Sequence, residues 1–86
     1  MNRTTREAIA TMRQALSCRF NDETCGPLPE GDGAQCHVGS ALVRYWQDVD
    51  SDRWMVAMQY VDGRCPEQPA ANAGELLAFI LQELQA

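Results

Sequence analysis

Four cysteines, Cys18, Cys25, Cys36 and Cys65, are the residues of this chain with the widest choice of chemistry: metal ligands, disulfide staples or buried thiols. A zinc site brings thiolates in close pairs such as C-x2-C, because a short knuckle presents two ligands to one ion. Here 6, 10 and 28 residues separate successive cysteines, so the spacing argues against a metal. Cys25 before Gly-Pro and Cys65 before Pro fall in loops, where a bridge is sterically easy and where a small domain gains most from one. Reduced, partly buried thiols are the leading expectation, with staples around a long loop as the competing one.

Nucleophilic catalysis by cysteine needs an adjacent base, and His37 is the single histidine. Its neighbour Cys36 would point to the opposite side of a strand, so no Cys-His pair is expected. Asp48, Asp50 and Asp52 begin like a calcium loop. The resemblance stops at Arg53, where a glycine is required, and at Gln59, where a bidentate glutamate is required. The three aspartates read instead as a solvated turn that offers an acidic knob to an arginine- or lysine-rich partner. Trp46 and Trp54 flank that turn and are expected to pair across a hairpin, as packing or, if exposed, as a binding hot spot. Gly31 and Gly33 have neither a following helix nor a lysine, so they do not form a phosphate loop. No cofactor is called for, and no catalytic set is present.

The elements that must carry these residues follow from periodicity. Thr4 and Glu7 have capping-box spacing, and Ala8, Ile9, Met12, Ala15, Leu16 and Phe20 recur at helical intervals. That predicts a helix over about 5–19 with Arg6 and Arg13 on its outer face. Residues 21–35 concentrate glycine, proline and the carboxylates Asp22, Glu23, Glu30 and Asp32, and read as a long loop. Residues 36–49 read as a strand with Val38, Leu42 and Trp46 on one face and Val43 and Tyr45 on the other, although a helix from Ser40 also fits. In the clearest strand, 53–62, Trp54, Val56, Met58 and Tyr60 alternate. Residues 48–51 are the turn between the two strands, and 64–71 is a proline-containing connection. Asn72, with Glu75 three residues on, caps a second helix carrying Leu76, Leu77, Ile80, Leu81 and Leu84.

The expected fold is α+β, in the order α-β-β-α, with two helices on a small antiparallel sheet in one domain spanning 1–86. At 86 residues the core is thin, since a chain of this size buries only roughly 60% of its unfolded surface. Two strands alone are marginal, so a homodimer is expected, through strand edges or the leucine-rich second helix.

Charge narrows the function. The net charge is -5, and all seven basic residues are arginine. Residues 1–21 carry +3, residues 22–52 carry -6 and the remainder -2. An acidic chain is a poor match for nucleic acid phosphates. No apolar run suits a signal peptide or a membrane span, which points to the cytoplasm. The sequence therefore predicts a non-enzymatic protein-binding domain, an inhibitor, adaptor or regulator such as a phage or bacterial accessory protein. It would dock a basic protein surface through Asp48, Asp50, Asp52, Trp46, Trp54, Glu30 and Asp32. A cysteine-based metal or redox protein is the alternative, and a nucleic-acid module using the arginine face of the first helix comes third.

Overall fold

Helical periodicity near the N-terminus and a capped leucine-rich segment near the C-terminus become two helices that bracket an antiparallel sheet. The structure is a computed structural model that describes residues 3–17, 25–29 and 32–85. In chain order the elements are α1 (Arg3–Ser17), β1 (Gly26–Pro27), β2 (Gly33–Val38), β3 (Ala41–Gln47), β4 (Trp54–Gln59), β5 (Glu67–Pro69) and α2 (Ala73–Gln85). The class is α+β, as expected. Among the described residues five strands rather than two lie between the helices, paired in sequence order as a meander.

The additional strands come from one turn and two edges. Gly39, with φ of 62°, and Ser40 reverse the chain between Val38 and Ala41, so the expected single strand over 36–49 is a hairpin of β2 and β3. A left-handed conformation at that position is inexpensive only for glycine or asparagine. Within 40–49, Ala41–Gln47 is strand, and the helical alternative is excluded. The reversal also changes a face assignment. Val38 pairs with Ala41 and faces the helices, whereas Leu42 and Trp46 lie on the other side. β1 and β5 sit where loop and connection are expected. Both contain proline, which edge strands accommodate because one row of their N–H groups has no ladder partner. These short, proline-bearing edges are poor templates for a further strand. With five strands present, the marginal two-stranded sheet that motivated a homodimer is gone.

Both helices pack on one face. α1 lies against β2 and β3, α2 against β4, and the helices touch each other. Between them and the sheet, Met12, Leu16, Val43, Tyr45, Val56, Met58, Leu76 and Ile80 are fully buried. Alanines at 8 and 15 on α1 and at 34 and 41 on the strands have almost no exposure, and small side chains on both surfaces permit a close approach. The apolar breadth of α2, excessive for covering two strands, is accounted for by its second contact with α1.

Helix starts are set by local hydrogen bonds. Asn72 Oδ1 accepts the backbone N–H of Glu75 at 3.0 Å, and the Glu75 carboxylate accepts the N–H of Ala71, which is the expected reciprocal cap displaced by one residue on its return arm. Asn72→Ala should lower stability by about 1 kcal/mol, measured as a shift of the urea midpoint at constant m-value. At α1 the expected Thr4–Glu7 box is not formed. The helix is already under way at Arg3, and Glu7 accepts from Arg3 Nε at 3.1 Å.

The β4–β5 turn is closed by a polar set around Tyr60. Its hydroxyl donates to Glu83 of α2 at 3.0 Å, and the Arg64 guanidinium lies 4.5 Å from its ring centroid. Asp62 accepts from the backbone N–H and the Nε of Arg64, and those bonds hold its carboxyl below the usual carboxylate range.

Candidate functional site

With both helices on one side, the other face of the sheet has no layer over it. Pairing places Gln35, Leu42, Arg44, Trp46, Met55, Ala57 and Glu67 there, in rows that cross the strands: Gln35–Arg44–Ala57–Glu67, and beside it Gly33–Trp46–Met55–Pro69. A groove of about 350 Å³ runs over this face. Trp46 and Ala57 form its floor and Leu28 one wall. Asp32 stands at the β2 side, Glu67 and the exposed Cys65 at the β5 side, and Arg44 between them with its Nε buried. Ala57 is only 2% exposed although no helix covers it, and neither it nor Leu28 belongs to the core beneath the helices. The face therefore carries an apolar patch of its own.

Gly33 makes that wall possible. A Cβ there would meet the Tyr45 backbone oxygen, Leu28 Cδ1 at 2.7 Å and Trp46 Cβ at 2.9 Å. The bare backbone lets Leu28 lie against β2, tied by its N–H to the Gly33 carbonyl at 3.1 Å.

The β3–β4 connection supplies the acidic part. Asp48 accepts through Oδ2 from both the N–H and the hydroxyl of Ser51, at 3.1 and 2.9 Å, so this carboxylate organises the turn instead of projecting from it. Asp52, at φ 58°, donates its N–H to the Asp48 carbonyl, and its own carbonyl accepts from Gln47 Nε2. Asp50 is exposed at the tip beside Val49, which is 82% exposed. Thr4, Asp32, Gln47, Asp48, Val49 and Asp52 line a hollow of about 220 Å³. Asp32 thus borders both the hollow and the groove.

The two tryptophans separate. Trp46 pairs with Met55 and Gln47 with Trp54, so the rings lie on opposite faces and do not face each other across the hairpin. Trp54 stacks on Tyr45 with centroids 4.9 Å apart and planes at 18°, packed against the core under the helices. Trp46 is the one that lines the groove. No family model, curated protein or solved structure is matched by this chain. The site is therefore read from its own geometry.

Of the other expected site residues, Glu30 and Cys18 lie outside the described residues. Cys25 and Cys36 are buried in the core, and among the described residues no three His, Cys, Asp or Glu side chains are grouped as a metal ion would require. His37 is exposed on the uncovered face of β2. Arg6 and Arg13 are exposed on α1 and flank Ile9 and Ala10, sharing a face as their spacing predicts. No helix among the described residues is long and apolar enough to cross a membrane. Leu28, Val49, Ala57 and Glu67 are absent from the sequence-based set. Ala57 and Glu67 join it only through strand pairing, and Leu28 only through the missing side chain at Gly33.

Proposed function

We propose that this chain is a small non-enzymatic protein-binding domain that acts as an inhibitor, adaptor or regulator by occupying a basic surface of another protein. The observation that carries the reading is the position of Asp32, common to the apolar groove at Trp46 and the acidic hollow at Asp48 and Asp52. A desolvatable apolar patch with charge at its rim is how protein interfaces divide affinity from steering: the buried anchor supplies most of the binding energy, the rim the association rate and selectivity. Val49 adds an exposed apolar contact among the aspartates of the turn. Trp54 has no part in this surface.

The test is affinity purification from the native host in parallel with the wild-type chain and the variant Asp50→Lys, Asp52→Lys, which keeps the Asp48 bonds to Ser51 that hold the turn. The expected result is a partner whose retention by the wild type falls as salt is raised and drops at least about tenfold with the variant. Equal retention of the same partners by both proteins, at low and high salt, would show the acidic surface to be irrelevant.

A further inference from the structure

The groove crosses the strands, and its charges are arranged end to end. Asp32 adjoins the start of β2, and Glu67 lies on β5, three strands away. Three inter-strand spacings of about 4.8 Å, with Asp32 three residues along the strands from the row of Glu67, put the two backbones about 17 Å apart. Midway are the apolar floor of Trp46 and Ala57 and the guanidinium of Arg44. Asp48 and Asp52 reinforce the negative charge at the Asp32 end.

An extended chain advances about 13 Å over four residues, residues i, i+2 and i+4 project to the same side, and long basic side chains leaning outward at the two ends cover the remaining distance. From this match we infer that the groove takes an extended segment of a partner protein with the pattern basic-x-apolar-x-basic, lying across the sheet. The inference rests on the protein-binding reading above and specifies what is bound. The terminal basic residues meet Asp32 and Glu67, and the central apolar side chain sits on Trp46 and Ala57. Arg44 makes the centre selective, because a cation placed midway would face a like charge. Arginine suits the Asp32 end better than lysine, since its planar guanidinium can stack on the Trp46 indole while forking a carboxylate. No two of this chain's arginines, at 3, 6, 13, 19, 44, 53 and 64, are four apart. The occupant is accordingly a different protein and not a second copy.

The experiment titrates the isotope-labelled full chain with the acetylated, amidated peptide Gly-Arg-Gly-Leu-Gly-Arg-Gly. Controls are the same peptide with both arginines replaced by citrulline, and the scramble Gly-Gly-Leu-Gly-Arg-Arg-Gly. The expected result is saturable shifts at the Trp46 indole N–H and at the amides of Ala57 and Glu67, with a dissociation constant on the order of 0.1 to 1 mM. Citrulline or scrambling should weaken binding at least about tenfold, and Asp32→Asn or Glu67→Gln about threefold each, because exposed ion pairs contribute modestly. Both carboxylates are exposed, so these amide variants should keep the wild-type spectrum elsewhere. Shifts confined to residues 48–52 and equal for the ordered and scrambled peptides would overturn docking across the groove while leaving the acidic-surface reading in place. Absence of any shift up to several millimolar would overturn it as well, and charge reversal of the turn tests the broader reading separately.

Discussion

Replacing Gly33 with alanine is expected to lower the stability of the domain by about 2 to 3 kcal/mol, the range of an overpacked core position. The added methyl group meets three neighbours at once. Leu28 Cδ1, at 2.7 Å, can swing away, but only by abandoning the groove wall. The Tyr45 carbonyl oxygen and Trp46 Cβ belong to the backbone and first side-chain atom of β3, and they yield only if the β2–β3 ladder moves. For a domain of this size the melting temperature should fall by about 10 °C or more. Gly39 is the control, because it has a φ of 62° and nothing within 4 Å of a built Cβ. Its requirement is conformational, so Gly39→Asn should cost only a few tenths of a kcal/mol while Gly33→Asn is as damaging as alanine. Urea titrations of the three variants decide the matter. A Gly33→Ala change below about 0.5 kcal/mol would mean that β3 accommodates the methyl group.

Much of this architecture is written in local patterns, and its omissions have physical causes. Helical spacing in Ala8–Leu16 and Leu76–Leu84 and alternation in Trp54–Tyr60 depend only on near neighbours, and these elements appear where the patterns put them. The Gly39–Ser40 pair is also a recognisable hairpin signal. It is masked by the continuous apolar and aromatic run that follows it, and reading through it placed Val38 with Trp46 on the wrong face. β1 and β5 are held by pairing with strands already formed and have little propensity of their own, so glycine and proline there resemble loop. The acidic turn is legible because its residues are consecutive. The groove is not, because Leu28, Asp32, Trp46, Ala57 and Glu67 converge through the registers of four strands, and no single window of sequence contains that information.

Raising the pH from 10 to 12 is expected to remove about 2 to 3 kcal/mol of stability, most of it through Tyr45. Its hydroxyl donates to the Ala70 carbonyl at 2.7 Å beneath α2, and both residues are essentially inaccessible. Burial, with a smaller contribution from the Glu75 carboxylate, pushes the phenol up from 10.0 to about 12. Below pH 10 both the folded and the unfolded chain hold this proton, and the group adds no pH dependence. Between 10 and 12 the unfolded chain ionises well ahead of the folded one, so this group lowers stability by about 1 kcal/mol per pH unit. Lysine adds nothing in this window, because the chain has none, and arginine titrates higher. Tyr60 is raised too, by its own desolvation and its bond to Glu83, so Tyr45→Phe is needed to assign the slope. At pH 7 that variant should be less stable by about 1 to 2 kcal/mol, having left the buried Ala70 carbonyl without its donor. Its urea midpoint should then decline less steeply than the wild type's and converge with it near pH 12. Parallel curves, separated by the same amount from pH 7 to 11.5, would locate the alkaline transition elsewhere. Convergence would tie it to the residue whose ring supports Trp54 under the helices and whose carbonyl sets the space limit at Gly33, so that one strand position governs both the core and the shape of the open face.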